Sequence, residues 1–246
     1  MPRAPHQNRG MALAPTPLSL AGLRVLDLSR VLAGPWCTQL LGDLGADVVK
    51  VERPGSGDDT RGWGPPFLHD RHGAESSESA YFLGANRNKR SIAIDLAHPD
   101  GQALVRALVL QADVLVENYK VGDMARYGLD FVTLHALNPQ LVYCSITGYG
   151  QTGPYHERAG YDYAVQGLGG LMSLTGERDD LPGGGPQRWA WRSPTCSPAC
   201  MPASASSRPC GTATPRASVA ARASTSIWRC STRRWRCWPT WAPTTS

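Results

Sequence analysis

Residues 23–52 read Leu23-Arg-Val-Leu-Asp-Leu-Ser-Arg30-Val-Leu-Ala-Gly-Pro-Trp-Cys-Thr-Gln-Leu40-Leu-Gly-Asp-Leu-Gly-Ala-Asp-Val-Val-Lys50-Val-Glu52, and their pattern decides the fold. Residues 23–28 are a short apolar run with strand character. Gly34-Pro35 follows, and Pro at a first helical turn suits a helix start. Leu40, Leu41 and Leu44 then predict a helix over residues 36–44, ended by Gly45. Residues 47–52 form a second apolar run. A strand–helix–strand unit with short connections implies parallel strands.

Outward from this unit the same alternation continues. Residues 53–78 are rich in Gly, Pro, Asp and Ser and are expected as a long loop, a length usually tied to function. Residues 91–96 are expected extended. Residues 99–110 are expected helical, with Leu104, Val105 and Leu108 on one side. A strand (113–117), a helix (130–137) and a strand (141–146) follow, then a Gly-rich loop (147–160) and a helix (161–174). The class is therefore α/β, with a Rossmann-like parallel sheet. Ligands of such sheets bind beyond the strand C-termini. Arg53, Arg87, Lys89, Arg90, Lys120 and Arg126 follow or flank those strands. They suit a phosphate-bearing ligand, or are simply solvated charge. Gly167-Leu-Gly-Gly170 follows no strand, so it is not a dinucleotide fingerprint and is expected to serve close helix packing.

Composition divides the chain at Arg188. Residues 189–246 contain no Asp, Glu, Lys or Leu, yet hold six of eight Trp, five of seven Cys and eight Arg. Residues 1–188 carry 17 Lys+Arg against 20 Asp+Glu, so the net +5 arises wholly in the tail. Val219 and Ile227 are the tail's only aliphatic residues beyond Ala, and seven Pro interrupt it. Too little apolar surface is available to offset ordering, so the tail is expected to be disordered. Arg233, Arg234 and Arg236 among Trp235 and Trp238 would suit nucleic acid. A non-native sequence explains the composition better, and no nucleic-acid partner is expected. Cys37 and Cys144 lie in apolar segments and are expected as small buried residues. The tail's cysteines have no metal-like spacing and no His nearby, so no metal site is expected. Residues 1–19 carry four Pro and no continuous apolar run. They are expected to be unstructured, with Met1 or Met11 as start; no membrane segment and a cytoplasmic location are expected.

The segment 23–39, with Leu44-Gly-Ala-Asp-Val-Val-Lys-Val-Glu-Arg-Pro-Gly-Ser-Gly-Asp58, resembles the opening of the family III CoA-transferases, the CaiB/BaiF family. Colinear matches continue through Asn86-Arg-Asn-Lys-Arg-Ser91, Asp113-Val-Leu-Val-Glu-Asn118, Tyr127-Gly-Leu129, Ser145-Ile-Thr-Gly-Tyr-Gly150, Gly160-Tyr-Asp-Tyr163 and Gly176. The resemblance makes residues 20–188 a Rossmann-like CoA-binding domain, incomplete at its C-terminal side. It implies exchange of CoA between an acyl-CoA and a small carboxylic acid through an aspartyl-CoA thioester. CoA and acyl-CoA are then substrates, with no permanently bound cofactor. Intact members form an interlocked homodimer. By the family's pattern Leu32 and Ala33 line the thiol end, and Arg53, Asn118, Tyr119, Lys120 and Arg126 contact nucleotide or pantetheine. Ile94 to Ala97 lie near the adenine, and Tyr161 is likewise expected among the CoA-binding residues. Leu32 departs from members with Gln there, and Ala159 from members with a CoA-binding Lys.

Asp162, an acid between two Tyr, has the look of a nucleophile, but the resemblance places the nucleophilic Asp in a segment that should begin after Arg188. What stands there is Trp189-Ala-Trp-Arg-Ser-Pro-Thr-Cys-Ser-Pro-Ala-Cys200. GC-rich codons for Val-Gly-Val-Ala-Val-Ala-Asp-Leu-Phe-Thr-Gly-Met give that string when their first base is lost. Thr195 then stands at the expected Asp, and no catalytic residue remains. The chain is expected to be an inactive, truncated transferase. Two rivals are an α-methylacyl-CoA racemase of the same family and a non-enzymatic basic binder. The racemase needs a His where Tyr161 stands, and a phenol is ill suited to proton abstraction at neutral pH.

Overall fold

The computed structural model describes residues 18–188. The expected disorder of residues 189–246 and the position of Thr195 lie outside them, as does most of the N-terminal segment. Leu18 and Ser19, expected unstructured, belong to a turn closed by Ala21 N–H to Leu18 O (3.0 Å).

Five parallel strands form one sheet. In chain order they are β1 (Arg24–Asp27), β2 (Asp47–Glu52), β5 (Lys89–Ala93), β6 (Val114–Glu117) and β7 (Val142–Ser145). Their order across the sheet is β5-β2-β1-β6-β7. Val25 lies beside Val48 on one flank and Val114 on the other. Consecutive side chains point to opposite faces, and both faces are covered, as in parallel sheets generally. Val25, Val48, Val114, Val116, Val142 and Cys144 pack with Cys37 and Leu41 of helix α1 (Ala33–Asp43). On the other face, Leu26, Leu115 and Tyr143 pack with Val105 and Val109 of α3 (Pro99–Val109) and Leu134 of α5 (Phe131–Leu137). Each such aliphatic side chain, once buried, contributes about 1.5–3 kcal/mol. Cys37 and Cys144 are buried, as their apolar surroundings required.

The structure corrects the sequence reading at several places. Helix α1 starts at Ala33, not Trp36, so Gly34 and Pro35 lie inside its first turn. The expected loop 53–78 contains a 3-10 turn, Asp59–Gly62, and an antiparallel hairpin of β3 (Phe67–His69) and β4 (Glu75–Ser79). Helix α2 (Ala80–Asn86) follows, its N-cap Ser79 accepting from Phe82 N–H, and α4 (Asp123–Arg126) is a further short helix. Leu104 of α3 is 56% exposed, whereas Val105 is fully buried. The last expected helix is broken into α6 (Asp162–Leu168) and α7 (Leu171–Leu174), because Gly170 takes a left-handed φ of 75°. So Gly170 supplies a turn rather than close helix packing. Close approach occurs instead between Gly148 and Gly160, where a Cβ on either would overlap the other's backbone.

Candidate functional site

Strand order reverses between β1 and β6, the switch point where doubly wound sheets bind ligands. The segment leaving β1, residues 29–33, sits there, and its position is fixed by charges buried beneath it. Asp27 pairs with Lys89 (3.0 Å) and accepts from Thr38 (2.6 Å) and from Ser29. Lys50 pairs with Asp58 (2.9 Å) and donates to Ser29 O (2.8 Å). Glu52 receives Arg61 in a two-pronged contact (2.7 and 2.8 Å) and accepts from Ser91. Burial alone would raise the Asp27 carboxyl, but Lys89, Lys50 and the hydroxyl donors hold it at about 2. Glu52 follows the same logic: burial opposes ionisation, and Arg61, Ser91 and the Asp58 N–H bring it to about 2.

Val31 bears the consequence. Its φ is 68°, left-handed and rare for a β-branched residue. Such conformations cost on the order of 1–3 kcal/mol and persist only where surroundings enforce them. The enforcement is visible: Val31 N–H lies 3.3 Å from both Asp58 carboxylate oxygens. One residue earlier, the Asn118 side chain grips the Arg30 backbone, accepting from its N–H (2.8 Å) and donating to its carbonyl (2.7 Å). Three successive residues are thus held by three different side chains, those of Lys50, Asn118 and Asp58.

Of the clefts beyond the strand ends, two gather the expected site residues, and a third, lined by Glu52, Arg53, Ser91 and Ala93 among others, adjoins them on the β2–β5 side. The first, about 180 Å³, is lined by Arg30, Arg53, Ile94, Ala97, Tyr119 and Tyr127 among others. The second, about 410 Å³, is lined by Arg30, Ala33, Asn118, Tyr119, Lys120, Arg158 and Tyr161 among others. Arg30 and Tyr119 belong to both, with the guanidinium 4.8 Å from the ring centroid. The expected site residues therefore divide. Arg53, Ile94 and Ala97 gather in one cleft, and Ala33, Asn118, Lys120 and Tyr161 in the other. Leu32 caps α1 and lines neither. Arg126 is exposed, pairs with Asp123 (3.3 Å) and stacks on Tyr127, which lines the first cleft in its place. Asn118 lines a cleft, yet its amide is already engaged by the Arg30 backbone.

Other cations proposed as phosphate ligands are neutralised within the fold. Arg87 pairs with Asp43, Arg90 with Asp47, and Lys89 with Asp27. Arg53, Lys120 and Arg158 make no ion pair with any described residue. Arg30 and Arg158 were not singled out from sequence. Arg30 lay inside the matching motif, and its place after β1 was the available signal. A further buried acid, Glu117, ends β6 and accepts from Tyr119 N–H (2.8 Å). Burial raises its carboxyl to about 7, against the opposing hydrogen bonds from Ser145 and Tyr119. Among the described residues, no helix is long and apolar enough to cross a membrane.

Several known proteins resemble this chain in sequence and geometry. A succinate–glutarate CoA-transferase from Agrobacterium fabrum is 60% identical over 163 residues, spanning 66% of this chain and 40% of its own length. The human succinyl-CoA:glutarate CoA-transferase is 50% identical over 163 residues, again 66% of this chain and 36% of its own. A solved CaiB/BaiF family protein from Brucella suis superposes with a TM-score of 0.70 at 50% identity, covering 77% of this chain and 49% of that one. The chain thus spans under half the length of these relatives. The profile of CoA-transferase family III matches residues 20–196, and this chain belongs to that family.

Proposed function

We propose that residues 20–188 are the CoA-holding part of a CoA-transferase that moves CoA between an acyl-CoA and a small carboxylic acid. The observation that carries this reading is the pair Arg30 and Arg53, which flank Tyr119 at the switch point. Among the described residues Arg53 has no carboxylate partner, and Arg30 has only Asp59, at 3.9 Å. Cations left free at strand C-termini favour a polyanionic ligand, and the Tyr119 ring offers an apolar wall beside them. Ala33 and Tyr161 then lie on the acyl side, Ile94 and Ala97 on the nucleotide side.

The chemistry belongs to an Asp carboxylate. It attacks the thioester carbonyl and expels CoA thiolate, leaving an acyl-aspartyl anhydride. The thiolate attacks the aspartyl carbonyl, which releases the donor acid and forms an aspartyl-CoA thioester. The acceptor carboxylate repeats both steps in reverse and leaves with CoA, regenerating the Asp. Thr195 stands where that Asp is expected. A hydroxyl is a poor substitute for the carboxylate these steps use, so the chain binds CoA without transferring it. A base lost just after codon 188 accounts for residues 189–200. The interlocked homodimer belongs to the repaired protein.

Calorimetric titration of CoA into the 246-residue chain tests the reading. We expect saturable binding of one CoA per chain, with no turnover of succinyl-CoA with glutarate and no covalent CoA adduct by mass spectrometry. Absence of CoA binding would overturn the assignment of the clefts. Turnover would overturn the role given to Thr195. Resequencing around codon 188, and restoring the frame, should recover transfer.

A further inference from the structure

β1 and β6 are neighbours in the sheet, and a backbone bond from Leu28 N–H to Val116 O (2.8 Å) carries their pairing one residue past β1. Beyond it the two chains part. Helix α1 packs on one face of the sheet, while Met124 of α4 and Leu134 of α5 pack on the other. A side chain crosses the gap that opens. The Asn118 amide accepts from Arg30 N–H (2.8 Å) and donates to Arg30 O (2.7 Å), pairing with both backbone groups of one residue as a neighbouring strand would. Both ends of that amide are engaged before any ligand arrives. The next residue takes hold of the other end of Arg30. Tyr119 N–H donates to the Glu117 carboxyl (2.8 Å), which fixes the turn after β6, and the Arg30 guanidinium lies 4.8 Å from the Tyr119 ring centroid. Among the described residues Arg30 is otherwise weakly held. Its ion pair with Asp59 is 3.9 Å long and exposed on both sides, and its Nε has no hydrogen-bond partner. Yet Arg30 lines both clefts. A long side chain loses rotamer freedom when it grips a ligand, and fixing it beforehand removes that cost.

We propose that Asn118 is the positioning residue of Arg30: it acts on CoA through that guanidinium and not by touching CoA. The amide clamp on the Arg30 backbone and the ring against its guanidinium hold the cation where the two clefts meet. The proposal rests on the CoA-holding reading above and adds a division of labour within it. It replaces the direct contact with CoA that the motif pattern implies for Asn118.

The test measures CoA binding to the full 246-residue chain and to its Arg30→Gln, Asn118→Ala and double variants, each at low and at high salt. Arg30→Gln should weaken CoA by about tenfold, the scale of one charge-assisted contact. Asn118→Ala should weaken it by about threefold to tenfold, the effect of having to order one long side chain on binding. The double variant should match Arg30→Gln within about twofold, because placement no longer matters once the guanidinium is gone. Salt dependence gives a second readout. CoA binding to the parent should weaken as salt rises, and Arg30→Gln should flatten that dependence. Asn118→Ala should flatten it too, although Asn carries no charge. A purely structural role would move urea stability and leave the salt dependence in place. Losses that add in the double variant, or an unchanged salt dependence in Asn118→Ala, overturn the proposal. So does a CoA affinity that Asn118→Ala leaves untouched. Should Asn118→Ala not fold, Asn118→Ser is read in the same way. Tyr119→Leu, which removes the ring, should also flatten the salt dependence, and an unchanged dependence there counts against the proposal. If the parent chain does not bind CoA, the CoA reading fails and this proposal with it.

Discussion

The floor of the site and its rim use the same residue types to opposite ends. Below the segment 29–33, Lys50, Arg61 and Lys89 each meet a carboxylate within 3.0 Å, and Asp27, Lys50, Glu52 and Asp58 are almost fully buried. At the rim, Arg53, Lys120 and Arg158 meet none among the described residues. The floor's charges act on one another and on the backbone, holding Val31 in a conformation it would not choose. The rim's charges remain for a ligand. A charge that is buried must be paired to be tolerated, whereas one at the rim costs little in water and gains a partner only on binding. Position relative to the sheet edge, rather than residue type, separates architecture from recognition here.

The sharpest way to break this contrast is to unpair the floor. Asp58→Ala leaves Lys50 buried without its carboxylate and frees Val31 N–H. Losses of about 3–5 kcal/mol accompany such half-removed pairs. Urea unfolding should show a loss of that size, or no folded state at all. A loss under about 1 kcal/mol would mean that the floor does not hold the loop.

Glu117 gives the next largest effect and a pH signature. Its carboxyl is raised to about 7 from an ordinary value near 4.5, so the folded state favours its protonated form. Its stabilising contribution is complete below about 4.5 and is lost as pH rises through about 7. The loss is on the order of 3 kcal/mol by linkage. Stability measured in urea at pH 5 and pH 8 should fall accordingly in the parent chain. Glu117→Gln should flatten that slope. An unchanged slope in the variant would place the titration elsewhere.

At the rim the effects should fall on binding and spare folding. Arg53→Ala should weaken CoA by about tenfold while leaving the unfolding midpoint within about 0.5 kcal/mol. Smallest of all is Arg90→Ala. Its pair with Asp47 is exposed on both sides, so stability should change by no more than about 0.5 kcal/mol and CoA affinity not at all. A clear loss of CoA binding in this variant would blur the boundary between floor and rim.

Much of this was legible without coordinates. Apolar runs over residues 23–28 and 47–52, separated by one helix-length segment, specify parallel strands because one crossover helix returns the chain to the end of the sheet from which the first strand started. The colinear motifs identified the family, and they placed Arg53, Ile94, Ala97 and Tyr161 near the strand ends where the clefts lie. Local pattern did not reveal that the helix after Gly160 breaks at Gly170, since backbone handedness leaves no mark on periodicity. The hairpin within residues 53–78 was hidden by its polar sequence, Glu75-Ser-Ser-Glu-Ser79, which lacks apolar alternation. Sequence could also list the cations but not sort them. Whether a Lys is neutralised depends on a carboxylate brought close from elsewhere in the chain: Lys89 and Asp27 are separated by 62 residues, and Asn118 and Arg30 by 88. Electrostatic interaction depends on distance and burial, both of which are tertiary quantities. The sequence therefore determined the sheet, the family and the candidate residues. Only the packed structure decided which of those charges support the fold and which are left free to meet a ligand.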